Sequence, residues 1–282
     1  MNILSSILSS FRGIFPSLQG EGCRGAVGIR DGVRLLLLPL LLATVSLTSS
    51  AAGPLRIAIL GDSYSTFEGY MSPAINELWY YPADSKRHNK ANDVVSVEQT
   101  WWMQVVSRLG ATLVQNNSYS GSTIAFQGYT RQKEAANDGH SLRPGHPADY
   151  SPRSFIARAV NIGDSIGAPD LLLVFGGTND SWAGTPVGNY QWGQWTRADL
   201  FTYRPALARL CRDLREMYPA MRVVFLINDG LRPEIVESTH LITKYYGYEY
   251  LDLSDIDKQG GHPSHKGMTS IANQVCRYLQ GN

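Results

Sequence analysis

Ser63 stands in Gly61-Asp62-Ser63-Tyr64-Ser65, directly after the apolar run Leu55 to Leu60. A serine on a tight turn at a strand's end can point its hydroxyl into a crevice, as a nucleophile must. Taken alone the triplet is weak, because serine in that place serves equally well as a helix N-cap. Two further segments, Asn116-Asn117-Ser118-Tyr119-Ser120-Gly121-Ser122 and Gly176-Gly177-Thr178-Asn179-Asp180, also follow apolar runs. The backbone N–H of Gly121, the amide of Asn179 and the N–H of Ser63 itself are donors able to hold the oxyanion formed when a serine attacks an acyl carbonyl. Each segment by itself reads as a turn. The fourth segment ends Asp255-Ile256-Asp257-Lys258-Gln259-Gly260-Gly261-His262-Pro263. A neutral His262 imidazole there can take the Ser63 proton and return it to a leaving alcohol.

The elements that must position these residues are legible as alternating runs. Strand-length apolar stretches lie at Leu55 to Leu60, Thr112 to Gln115, Leu171 to Phe175, Val223 to Ile227 and Tyr248 to Leu251. They are continuous rather than alternating, the pattern of strands buried on both faces of a parallel sheet. Helical segments separate them: Gln99 to Leu109, Ser154 to Ile162, Ala198 to Met217 interrupted at Pro205, Pro233 to Tyr246, and Lys266 to Leu279. In the last, Met268, Ile271, Ala272, Val275 and Leu279 form one apolar stripe. Alternation of strand and helix predicts an α/β protein, a three-layer α/β/α sandwich with about five parallel strands, whose ligands sit beyond the C-terminal strand ends. The segments 127–153 and 178–196 read as long loops, which in compact domains are usually functional.

Taken together and in this order, the four segments resemble the SGNH (GDSL-type) hydrolase family, whose four name-giving residues match Ser63, Gly121, Asn179 and His262. The resemblance extends from Gly61 to the helix after His262. It implies a flavodoxin-like α/β/α sandwich, ester hydrolysis through an acyl-enzyme, and neither cofactor nor metal. One position departs from the family pattern: an aspartate three residues before the histidine is replaced by Gln259. A carboxylate there would hold the useful imidazole tautomer and stabilise the imidazolium, whereas a Gln carbonyl does only the first. Asp257 is taken as the third member, folded back by way of Gly260-Gly261; Gln259 or a Ser–His pair alone are the alternatives.

The first 52 residues read as a leader, and 53–282 as the hydrolase domain. Within the leader, LLLLPLLLATVSL from Leu35 is preceded by Arg30 and Arg34 and followed by small residues, a secretory signal peptide with cleavage after Ala51 or Ala52. The run is too short to cross a bilayer, which takes ~20 apolar residues. Because signal peptides are usually about 15 to 30 residues long, translation from Val33 would give an ordinary leader. Residues 3–18 place Ile3, Leu4, Ile7, Leu8, Phe11, Ile14, Phe15 and Leu18 on one helical face, with serines opposite. Export makes the expected location extracellular or periplasmic, with no stable membrane association after cleavage. Cys23 leaves with the leader, and Cys211 and Cys276 remain as a possible disulfide or as two buried thiols.

Composition excludes other classes. With 25 Lys+Arg against 24 Asp+Glu there is no basic face on which to argue nucleic-acid binding. Loss of the leader removes Arg12, Arg24, Arg30 and Arg34 with Glu21 and Asp31, turning the net charge to −1. His262 and His265 lack a third ligand for a metal. Substrate is read from the aromatic residues: Trp79, Trp182, Trp192 and Trp195 lie in segments after the first and third strands, with Tyr80, Tyr81, Tyr129 and Tyr190 beside them. Aromatic faces bury sugar C–H while neighbouring amides bind hydroxyls. The sequence therefore predicts a serine ester hydrolase that removes small acyl groups, acetyl foremost, from a small-molecule or polysaccharide ester. The alternatives are a lipase, lysophospholipase or thioesterase with a longer acyl slot, and a catalytically weak sugar-binding relative.

Overall fold

The computed structural model describes residues 53–129 and 149–281. The readings of the leader, its cleavage site and its start lie outside those residues. Five strands form one parallel sheet: β1 (Arg56–Gly61), β2 (Thr112–Asn116), β3 (Leu171–Phe175), β4 (Arg222–Ile227) and β5 (Glu249–Asp252), in the order β2-β1-β3-β4-β5. Central β1, β3 and β4 are the continuously apolar ones, while edge strands β2 and β5 are only partly buried. Burial on both faces explains why the central sequences do not alternate.

Successive side chains still point to opposite faces, and this divides the core. Ala58, Leu60, Leu172, Val174, Val223 and Phe225 pack against α2 (Phe155–Arg158), α4 (Tyr203–Met217) and α5 (Pro233–Tyr246). Ile57, Ile59, Leu171, Leu173, Phe175 and Val224 pack against α1 (Trp101–Arg108) and α6 (His265–Gln280). In α6 the expected stripe packs on the sheet, with Met268, Ile271, Ala272 and Val275 buried and Leu279 partly so. The expected α/β/α sandwich is thus present, with small differences of physical origin. Pro205 does not interrupt α4, because the helix begins at Tyr203 and proline is tolerated in a first turn. Thr178–Ala183, expected as loop, is a short helix, α3.

A feature not foreseen is a hairpin of two short strands, β6 (Lys258–Gln259) and β7 (His262–Pro263), inserted before α6. Gly260 and Gly261 have φ of 60° and 79°. Two consecutive positive φ values make the two-residue turn of type I′, which non-glycine residues adopt at a cost.

Candidate active site

In a sheet of order 2-1-3-4-5, the chain leaves β1 to one side and β3 to the other, opening a crevice between their C-terminal ends. Ser63 follows β1 and Asn179 follows β3, so both stand at that crevice. Gly61 allows the sharp exit: a Cβ there would lie 2.5 Å from Ser118 Oγ and 2.6 Å from Ser65 Oγ. Asp62 then caps the turn, accepting from the Tyr64 N–H at 3.0 Å.

The hairpin brings His262 to Ser63, with Nε2 2.9 Å from Ser63 Oγ. Its Nδ1 lies 3.3 Å from the Gly260 carbonyl oxygen. A carbonyl only accepts, so Nδ1 carries the proton and Nε2 presents its lone pair to the serine hydroxyl. That is the tautomer a general base needs. Burial pushes the His262 imidazole down to about 4, with the Gly260 hydrogen bond opposing. The base therefore stays unprotonated at neutral pH.

Asp257 does not take the place assigned to it. Across the hairpin Gln259 pairs with His262 and Lys258 with Pro263, and the Ser264 N–H continues the ladder to the Asp257 carbonyl at 3.0 Å. Asp257 is thus opposite Ser264, two rungs from His262, and its carboxylate accepts from the Ser264 hydroxyl. Two rungs are about 7 Å of strand. The two glycines build the turn instead of folding the acid back. Gln259 is no substitute, since its Oε1 accepts from the Asp93 N–H at 2.9 Å. What remains is a Ser–His pair oriented by a backbone carbonyl.

The three candidate oxyanion donors, Ser63, Gly121 and Asn179, line one cleft. Gly121 has φ 76°, and its N–H has no partner among the described residues. The Asn179 amide donates one N–H to the Ser122 carbonyl at 2.9 Å, leaving its second N–H available. Its Oδ1 accepts from Tyr129 Oη at 2.7 Å, which fixes which end of the amide carries the donors. Behind them the buried Arg158 guanidinium donates to the Asn117 carbonyl and to Ser122 Oγ, tying the Gly121 segment to α2. Asp62 and Asp180 are fully buried, and desolvation raises each to about 7. Asp180 nonetheless accepts from the Ile124 and Ala125 N–H groups at 2.8 and 3.0 Å, bracing the segment after Gly121.

Several residues that hold the hairpin were not singled out by sequence. Tyr64 Oη donates to the Gly261 carbonyl at 2.8 Å, Tyr80 Oη to the Pro263 carbonyl at 2.9 Å, and Asn92 Nδ2 to the Gln259 and Pro263 carbonyls at 3.2 and 3.1 Å. Tyr80 is therefore a buried support and not a rim residue. The signal available was only proximity, since Tyr64 adjoins Ser63 and Tyr80 adjoins Trp79.

A cleft of about 810 Å³ opens at Ser63 and His262, with Trp79, Trp182, Tyr81 and Tyr129 on its walls. Trp192 and Trp195, expected on the same rim, are elsewhere. Trp192 stacks on Tyr245 at 4.1 Å, and Trp195 lies beneath Arg212 at 4.5 Å with its Nε1–H on the Gln191 carbonyl. The chain after α3 runs away from the crevice to cover α4 and α5, and it carries these two tryptophans and Tyr190 with it. No group of three or more acidic, histidine or cysteine side chains suited to a metal occurs among the described residues.

The family model described as GDSL-like lipase/acylhydrolase matches residues 55–279. The chain belongs to that family. It is a hydrolase of this class, in keeping with the site just described. A protein from Bacteroides uniformis ATCC 8492 described as a GDSL-like lipase is 46% identical, with TM-score 0.71 over 82% of this chain and 97% of that one. Another so described, from Bacteroides ovatus ATCC 8483, is 41% identical, with TM-score 0.72 over 82% of this chain and 100% of that one. A carbohydrate esterase shares the fold at 17% identity and TM-score 0.51, over 81% of this chain and 65% of that one. None of the curated proteins matches.

Proposed function

We propose that this hydrolase is an exported carboxylic ester hydrolase that removes acetyl or similarly small acyl groups from carbohydrate. Ser63 Oγ, giving its proton to His262 Nε2, attacks the ester carbonyl carbon. The oxyanion is met by the Ser63 and Gly121 N–H groups and the free N–H of Asn179. Collapse expels the sugar alkoxide, which takes the proton from His262; water then attacks the acyl-enzyme with His262 again as base, releasing the acid and restoring Ser63. In this reading Trp182 is the aromatic that meets the sugar and Trp79 lines the cleft beside His262, while Trp192 and Trp195 lie away from it and Asp257 supports Ser264 instead of the histidine.

The observation that carries the reading is the cleft wall. Among the described residues its aliphatic side chain is Leu78 alone, against Trp79, Trp182, four tyrosines, Asn89 and Asn179. Such a surface stacks on sugar rings and bonds hydroxyls, while a long acyl chain needs a continuous aliphatic slot. The second reading, a lipase on longer chains, is favoured by the description of the Bacteroides relatives. A series of p-nitrophenyl esters from acetyl to octanoyl separates the two: kcat/KM falls at least tenfold by octanoyl if the proposal holds, and rises with chain length if the lipase reading does.

A further inference from the structure

Among the described residues no carboxylate bonds to the His262 imidazole, as one would in a full triad to hold its plane and balance its positive charge. Of those residues only the neutral Gly260 carbonyl, at a long 3.3 Å, reaches Nδ1. Against the ring's face, however, lies the Trp79 indole, with centroids 3.6 Å apart and planes 8° from parallel. Tyr64 is tilted against the same imidazole at 5.3 Å, and Tyr80 and Trp182 meet it edge-on at 6.3 and 6.1 Å. Burial raises both tyrosines above their ordinary range, so neither supplies a negative charge at neutral pH. The perturbation of His262 itself has two causes, burial and the Gly260 bond, and no ionised carboxylate is among them.

We infer that Trp79 is a positioning residue for the general base: its indole face fixes the plane of the His262 ring and favours the imidazolium formed while Ser63 is deprotonated. The physical ground is the ring quadrupole, whose negative face attracts a cation placed over it, most strongly for tryptophan and where water is excluded. The indole is placed for that contact. Its Nε1–H is buried and has no hydrogen-bond partner among the described residues, so no such bond competes with the stacked geometry. Its backbone is anchored, with the Trp79 N–H on Thr66 Oγ1 at 2.9 Å and the neighbouring Tyr80 carbonyl accepting from the Glu68 N–H at 3.1 Å. Tyr80 in turn holds the hairpin at Pro263, so the indole and the imidazole belong to one braced unit. The proton moves from Ser63 Oγ to Nε2 as the Oγ–carbon bond forms, and leaves with the alcohol; the stack acts only in between.

The inference rests on the ester-hydrolase reading. Trp79 also lines the cleft, so the experiment must separate a substrate shelf from an effect through His262. With p-nitrophenyl acetate, kcat of Trp79→Leu should fall on the order of tenfold and that of Trp79→Phe by less, while KM stays within about twofold. Leucine keeps the apolar bulk but has no quadrupole, so the imidazolium is disfavoured further. The acid limb of kcat/KM in W79L should therefore move to lower pH. An unmoved acid limb with raised KM would make Trp79 a substrate shelf and overturn the inference. If W79L does not fold, the acid limb of W79F decides by the same criterion. Turnover by the unaltered enzyme and its absence in Ser63→Ala carry the underlying reading separately, so that reading can fail or stand whatever the Trp79 variants do.

Discussion

The chemistry of the site rests on few atoms, and each has a nameable support. Asn179 shows how tightly one donor is specified. One amide proton is spent on the Ser122 carbonyl, the carbonyl end is taken by Tyr129, and a single N–H is left for the substrate. Replacing Asn179 by Ala should lower kcat by roughly 10²–10³-fold, the usual effect of removing one oxyanion donor, with little change in KM. Replacing Tyr129 by Phe leaves the amide in place without its orienting donor, so its kcat on the same ester should fall by less than that of N179A. Ser63, Gly121, Asn179 and His262 were legible as a group because each lies in a segment beyond the C-terminal end of a parallel strand, and those segments line one cleft. The tyrosines that hold them were not legible, because a hydroxyl's partner is set by distant backbone. Tyr64 reaches Gly261, far along the chain, and nothing local to Tyr64 states that.

At the scale of elements, the parallel sheet and its helices were readable from continuous apolar runs and one clear helical stripe. The hairpin of β6 and β7 was not, since strands of two residues have no periodicity to detect. That short element decides the fate of Asp257. Its register places the carboxylate on Ser264, whose Oγ also accepts from the Gly267 N–H at 3.1 Å and so caps α6. The same register explains the close approach at Gly267, where a Cβ would lie 2.1 Å from the Asp257 carbonyl oxygen. Asp257→Asn should consequently keep kcat within about tenfold, whereas loss of a true triad carboxylate costs about 10⁴-fold. It should instead lower stability by about 1 kcal/mol through the weakened cap, seen as a lower urea midpoint at unchanged slope. The tryptophans make the complementary point. Trp182 sits on α3 at the crevice, while Trp192 and Trp195, close to it in sequence, are carried away by a loop whose path depends on what α4 and α5 leave uncovered.

Across the whole molecule, the site imposes a cost on stability that depends on pH. His262 is ordinarily protonated below 6.5, but in the folded protein burial depresses it to about 4. Between those values the unfolded chain binds a proton that the native state excludes, so the native state loses stability as pH falls. Above 6.5 the two states bind equally and the effect vanishes. On lowering the pH from 7 to 4, the protein should therefore lose about 3 kcal/mol more stability than His262→Gln does, measured by urea unfolding at each pH. Equal losses would show that the imidazole is solvated. The buried Asp62 and Asp180 act in the opposite sense, because their raised values favour the native state at low pH, but they are common to both proteins and cancel in the comparison.

A two-sided buried sheet, a crevice at its switch point, a Ser–His pair in contact and an aromatic cleft wall support the central proposal that Ser63 hydrolyses small acyl esters of carbohydrate. The most direct test is acetate release from acetylated oligosaccharides by the protein and by Ser63→Ala at equal concentration, with circular dichroism confirming that both are folded. The prediction is steady release of acetate by the unaltered protein and none above the uncatalysed rate by S63A. Equal release by the two, or none by either while long-chain esters are cleaved, would contradict it.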